Sequence, residues 1–308
     1  MKISIIGAGN IGSLTAMRLA EGGMGEIILV DIVPGLAQGK SLDLEDARPI
    51  LKYNYSIQGT DQIKNIEGCD IIIITAGLTR KPGTTREDLL NKNAQIIKEV
   101  CLQIKKLASQ AILIVVTNPL DLMTQLALEI TGFKPQRVFG MGASLDAARF
   151  SNLISQELNI PNTDIEACVI GSHGEGMLPL PRFTKIKGVS LDEILDEQKL
   201  SALVRKTVER GTEIVSLLGS GSAFFAPSAA IASLVKIMVK DEKRIIGVSA
   251  YLNGEYGIKD VCAGVPCRLG KAGIEQIIEL DLNNQEKEAF LKSAANLKKQ
   301  YSLIAISP

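Results

Sequence analysis

The chain is short of several things. Charge of one sign is one of them: 34 basic residues meet 34 acidic ones, with an isoelectric point near 6.6. Binders of phosphate backbones carry a basic excess or face, so no nucleic-acid partner is expected, although a few clustered arginines could still hold a small anion. The five cysteines are scattered, with no CxxC pair. That pattern predicts small buried hydrophobes in a reducing compartment and no metal site. No apolar run approaches the roughly 18 residues of a membrane span, so no membrane partner is expected. The N-terminus opens on MKISIIGAGN, a strand leading into a glycine turn, which predicts no signal peptide and a cytoplasmic chain. Histidine occurs once, at His173.

What remains is a chain of ordinary composition, 46% hydrophobic and 22% charged over 308 residues, long enough for two domains. The first half alternates. Strand-like runs at 2–6, 26–30, 53–57, 70–75 (DIIIIT) and 111–116 (AILIVV) are separated by helical spacing over 11–20, 36–47, 87–108 and 120–130. Continuous β-branched runs belong to parallel strands buried on both faces, so the pattern predicts a doubly wound α/β sheet. The rhythm changes near residue 143. Helices are expected over 144–158, 197–218, 223–239 and 286–301, with a strand at 165–170 and a hairpin turning at Asn253-Gly254. The predicted division is therefore residues 1–143 and a mixed α+β half, 144–308.

Gly7-Ala8-Gly9-Asn10-Ile11-Gly12 follows a strand and opens a helix, the context required of a dinucleotide-binding (Rossmann) fingerprint. Its glycines suit a tight turn, close approach to a pyrophosphate, and helix-on-strand packing. Asp31 ends the next strand, where a carboxylate can accept hydrogen bonds from ribose hydroxyls and repel a 2′-phosphate. The expected cofactor is NAD.

His173 lies in Gly171-Ser172-His173-Gly174-Glu175, just past a predicted strand. An imidazole can take a hydroxyl proton, although a lone histidine is also commonly structural. Asp146 and Arg149, three apart at a helix start in SLDAARF, share one face. Asp146 could orient the imidazole, and Arg149 offers a fork to a carboxylate; both could equally be ordinary helix charges. The segment 78–86, LTRKPGTTR, is a loop at the carboxyl end of a strand, with three basic residues suited to an anion. Asn118, in Thr117-Asn118-Pro119 at the same sheet end, could hold a substrate oxygen or cap the next helix.

Taken together and in order, GAGNIG, Asp31, AGLTRKPGTTREDLL, VVTNP, SLDAARF, GSHGE and GSAFFAP resemble the lactate/malate dehydrogenase family, in detail its lactate-dehydrogenase-like malate dehydrogenases, over essentially the whole chain. The resemblance implies an NAD-dependent 2-hydroxy-acid dehydrogenase with a C-terminal α+β substrate domain and a homotetrameric or homodimeric assembly. It makes His173 the proton donor and acceptor, Asp146 its partner, Arg149 the anchor of the C1 carboxylate, and Arg86 the arginine that polarises the reacting carbonyl. Asn118 then contacts substrate beside the nicotinamide, Asn93, Val116 and Thr117 fall at cofactor-contacting positions, and Ala223 lines the pocket. Arg80 stands where lactate-specific relatives typically carry glutamine, which implies a substrate with a second carboxylate, malate or oxaloacetate. Alternatives are a lactate or broader 2-hydroxy-acid dehydrogenase, a non-catalytic NAD sensor, and an NAD-dependent glycosidase of related fold, which would need a metal site.

Overall fold

Aliphatic runs that can be buried on both faces form the centre of the protein. A computed structural model describes residues 1–78, 86–219 and 221–304, without the side chain of Arg86. In its first half the strands are β1 (Lys2–Ile6), β2 (Glu26–Val30), β3 (Ile57–Thr60), β4 (Ile71–Ile74), β5 (Ile112–Val115) and β6 (Val138–Gly140). They pair in parallel in the order β3-β2-β1-β4-β5-β6. Helices α1 (Asn10–Glu21), α2 (Leu36–Leu51), α3 (Arg86–Leu107) and α4 (Leu120–Thr131) make the crossovers. All four isoleucines of β4 are fully buried. The chain winds one way from β1 to β3 and the other from β4 to β6, so the crevice at the carboxyl ends of β1 and β4 is the switch point where such sheets take ligands. The expected doubly wound sheet is present.

The second half contains α5 (Gly142–Leu158), β7 (Ile165–Glu166), β8 (Val169–Gly171), β9 (Met177–Pro179), β10 (Lys185–Ile186), β11 (Val189–Ser190) and α6 (Leu191–Ile194). There follow α7 (Glu197–Leu218), α8 (Phe225–Val239), β12 (Arg244–Asn253), β13 (Lys259–Gly270), β14 (Gly273–Ile277) and α9 (Asn284–Tyr301). Its main strands extend the first sheet. β12 pairs antiparallel with β6 at Ser249 and Gly140, then β13, β8 and β9 follow, with β14 on another stretch of β13, for eleven strands among the described residues. Gly140 permits the junction, because a Cβ there would lie 2.6 Å from Thr124 Oγ1 and 3.0 Å from Ser249 Cβ. A second core gathers Phe150, Leu153 and Ile154 of α5 with Ile165, Val169 and Leu203. Among the described residues no helix is long and apolar enough to cross a membrane.

Four expectations need correction. The strand expected at 53–57 lies at Ile57–Thr60, because Tyr53 is spent on α2: its ring is buried and its hydroxyl donates to Leu44 O. Helix α2 runs past 47 to Leu51 with Pro49 in its last turn, where few later N–H groups are disturbed. The strand expected over 165–170 is two short pieces, since Cys168 N donates to Thr184 Oγ1, 3.0 Å, rather than to a strand. The hairpin turn is longer than Asn253-Gly254. Residues 255–257 form a 3-10 turn and β13 starts at Lys259, because Tyr256 packs edge-on against Phe290 of α9, centroids 5.1 Å apart.

Candidate active site

The glycine turn is set by collisions that other residues would cause. Gly7 has φ +109°, and a Cβ there would stand 2.7 Å from both Ala76 N and Thr75 Oγ1. A Cβ on Gly12 would meet Gly7 O at 1.9 Å. Around Gly9, by contrast, nothing lies within 4 Å of such a Cβ, and no side chain caps α1 there. The first and third glycines therefore serve the fold, while the second leaves room over an uncapped helix N-terminus, a ready anion site. Ala8 N donates to Asp31 Oδ2 at 2.7 Å and Val33 N to Asp31 Oδ1 at 3.0 Å. Lys40 of α2, which the sequence did not single out, donates to Ala8 O at 2.7 Å. The two peptide groups that flank the Ala8 Cα are thus each held by a charged side chain.

Asn93 is buried in α3. Its Oδ1 accepts from Leu78 N at 2.7 Å, and its Nδ2 donates to Asn118 O at 2.7 Å and Leu78 O at 3.1 Å. Thr117 Oγ1 donates to Ala76 O at 2.7 Å. Both side chains stitch the segments after β4 and β5 together.

The chemical end is assembled from two parts of the chain. The first turns of α5 bring Asp146 and Arg149, and the segment after β8 brings His173. Asp146 Oδ2 lies 2.8 Å from His173 Nδ1, while Arg149 Nη1 donates to Asp146 Oδ1 at 3.2 Å. Asp146 is 1% exposed, so its charge is answered by partners and not by water. Arg149 Nε is buried without a hydrogen-bond partner, a donor left over for an anion. Small residues make room: a Cβ on Gly142 would lie 2.9 Å from His173 Cβ, and one on Gly211 of α7 3.4 Å from Arg149 Nη1. Burial disfavours the imidazolium, but the charge and hydrogen bond of Asp146, with help from Asp121, outweigh it and hold the His173 pKa above its ordinary value.

His173 and Arg149 open on one cavity of about 330 Å³ that is also lined by Ile11, Val116, Asn118 and Ala223. Residues from the glycine-turn helix, the end of β5 and the His173 segment therefore face a common space. Arg80 lies outside the described residues, as does the side chain of Arg86; only the latter's place at the start of α3 is seen. Among the described residues no cluster could hold a metal ion. Sequence reasoning missed Asp121, Lys40, Gly142 and Gly211. Asp121 left a signal, as the one charge in the stretch LDLMTQLAL.

Residues 1–140 match the lactate/malate dehydrogenase NAD binding domain, and residues 143–305 match the lactate/malate dehydrogenase alpha/beta C-terminal domain. The chain belongs to the lactate/malate dehydrogenase family. Within that family it is 49% identical to the malate dehydrogenase of Methanosarcina mazei over 306 residues, 99% of this chain and 100% of the relative. Among solved structures it is similar to the apo malate dehydrogenase of Picrophilus torridus, with a TM-score of 0.94, 40% identity and coverage of 98% and 96% of the two chains. It is also similar to the lactate dehydrogenase of Cryptosporidium parvum complexed with lactic acid and nicotinamide adenine dinucleotide, with a TM-score of 0.95 and 32% identity over 100% and 98%. The fold alone therefore serves both substrates in this family, and the family's N-terminal NAD binding domain coincides with the glycine turn described above.

Proposed function

We propose that this chain catalyses the reversible NAD-dependent oxidation of (S)-malate to oxaloacetate. The observation that carries the reading is the buried chain of His173, Asp146 and Arg149 on a cavity shared with the glycine-turn helix. The open space over Gly9 and the uncapped start of α1 fit a pyrophosphate, and Asp31 fits a ribose without a 2′-phosphate. Gly7, Ala8, Gly9, Asn10, Ile11, Gly12 and Asp31 would hold the dinucleotide, with Val116, Thr117, Asn118 and Asn93 shaping its nicotinamide end. The nicotinamide, when bound, supplies a hydride acceptor.

The chain's own residues handle the proton and the charges. Nδ1 of His173 is tied to Asp146, which leaves Nε2 to take the hydroxyl proton of malate and to return it in the reverse direction. Asp146 stabilises the imidazolium so formed. Arg149, with its spare donor, anchors the C1 carboxylate, Asn118 holds a substrate oxygen, Arg86 polarises the carbonyl, and Arg80 pairs with the C4 carboxylate. The division into a cofactor domain, 1–143, and a substrate domain, 144–308, belongs to the same reading, as do a cytoplasmic location and a homodimer or homotetramer.

Initial rates of NADH oxidation with oxaloacetate and with pyruvate, in the parent and in Arg80→Gln, test the proposal. The parent should prefer oxaloacetate. Losing one partner of a desolvated charge pair costs about 2–5 kcal/mol, or about 30- to 4,000-fold, so Arg80→Gln should lose that much kcat/KM on oxaloacetate and gain on pyruvate. Equal loss on both would remove the support for malate.

A further inference from the structure

A second carboxyl group lies buried beside the site, and the mechanism above leaves it unused. Asp121 of α4 is 3% exposed. Its Oδ2 accepts the main-chain N–H of His173 at 2.7 Å, and its Oδ1 accepts the hydroxyl of Ser249 on β12 at 2.6 Å. Its neighbours in α4, Leu120, Leu122, Met123 and Leu126, are all buried, so water does not solvate the charge. A buried ion is weak evidence for stability, because desolvation offsets the attraction it gains. What sets this one apart is where it acts: on the residue that carries the imidazole, and from the opposite half of the sheet.

We propose that Asp121 is a positioning residue for the acid–base step, fixing the main chain of His173 and, through its negative charge, favouring the protonated imidazole. The inference rests on His173 being the acid–base group. The other groups that bear on the pair are Asp146 and Arg149 of α5 and the neutral Ser249 hydroxyl of β12, and the charge of Asp121 is felt in turn by Cys262 of β13. Cys262 stays a neutral thiol, since burial raises its pKa well above the usual value. Burial pushes Asp121 itself up to about 6, against the pull of the Ser249 and His173 hydrogen bonds. The charge of each group therefore bears on the protonation of the other.

The single histidine makes the test direct, because in untagged protein the imidazole carbon-bound proton resonances belong to His173 alone. The NMR titration is run without cofactor on the parent, Asp121→Asn and Ser249→Ala. A carboxamide at 121 can accept from His173 N and donate to Ser249 Oγ, so Asp121→Asn removes the charge and keeps both contacts. Its His173 midpoint should fall by about half a pH unit or more. Ser249→Ala should move the midpoint the same way by less, since losing a donor keeps Asp121 protonated to higher pH. The high-pH limb of oxaloacetate reduction should follow. About one pH unit above the parent midpoint, a half-unit fall is roughly a threefold loss of rate.

Superimposable titrations in all three proteins overturn the proposal, even if activity drops, because a merely structural role lowers activity without moving the midpoint. Should Asp121→Asn fail to fold, an unmoved midpoint in Ser249→Ala overturns it alone. A titration that shifts while the activity limb stays in place overturns the assignment of His173, and with it the catalytic part of the inference.

Discussion

The two ends of the cleft are made of different materials. At the glycine turn the working surface is main chain: Gly9 with open space above it, braced by Gly7 and Gly12 whose neighbours leave no room for a Cβ, an uncapped helix start, and Ala8 held between Asp31 and Lys40. At the chemical end it is buried side-chain charge, with Asp146 holding His173 and Arg149, and Asp121 holding the His173 main chain. The first surface is sensitive to volume, because backbone cannot move aside without opening the turn. The second is sensitive to charge, because in a desolvated pocket an unanswered ion costs several kcal/mol. A methyl group should damage one end and a neutralised atom the other.

The largest effect is expected from charge. His173→Asn should lower oxaloacetate reduction by about 10²–10⁴-fold while NADH still binds as in the parent. Loss of NADH binding alongside activity would show that the two ends are not separable. Volume comes next. Gly12→Ala places a methyl 1.9 Å from Gly7 O, and overpacking of this kind costs about 1–3 kcal/mol, read as a lower thermal midpoint together with weaker NADH affinity. Gly9→Ala, with open space around it, should leave stability within about 0.5 kcal/mol and weaken NADH binding alone. If both alanine variants behave alike, the distinction between structural and ligand-facing glycines fails.

Asp31→Ser tests a place where charge matters at the nucleotide end, and about tenfold of the preference for NAD over NADP should disappear as repulsion of the 2′-phosphate is removed. The smallest effect belongs to Ser249→Ala, at about 1 kcal/mol of folding stability. Its sign with pH follows from Asp121, whose folded value of about 6 exceeds the unfolded value of about 4. Such a group favours the folded state at low pH and gives that advantage up as pH rises through 6. Ser249 donates to the ionised form and limits the loss, so Ser249→Ala should be more damaging at about pH 8 than at about pH 5. Thermal unfolding at the two pH values decides it; an equal loss at both would mean that the hydroxyl does not serve the carboxylate.

Much of this was legible from residues alone, for physical reasons that differ along the chain. Parallel strands such as Ile71–Ile74 announce themselves because burial on both faces demands an unbroken aliphatic run. The glycine turn is legible because sterics leave one residue type at two of its positions. Tyr53 and Tyr256 misled the strand boundaries. Each looks like a strand residue, yet each spends its ring on a neighbouring helix, a tertiary contact that no local pattern records. Asp146 and Arg149 were readable as a pair because helical spacing puts them on one face. Asp121 was not, since its partners lie 52 and 128 residues further along the chain. Nor does Gly142 or Gly211 reveal its purpose until the side chain it makes room for is in place.

The continuity of the sheet has a mechanical consequence. Because β6 and β12 pair at Gly140 and Ser249, the first and second halves of the chain are planks of one frame. Swinging them apart would mean tearing the ladder beside a junction packed around Gly140 and wedged by α5, whose residues enter the second core. The glycine turn and the imidazole then stand on one continuous sheet, so motion that admits a ligand would fall to segments at its rim.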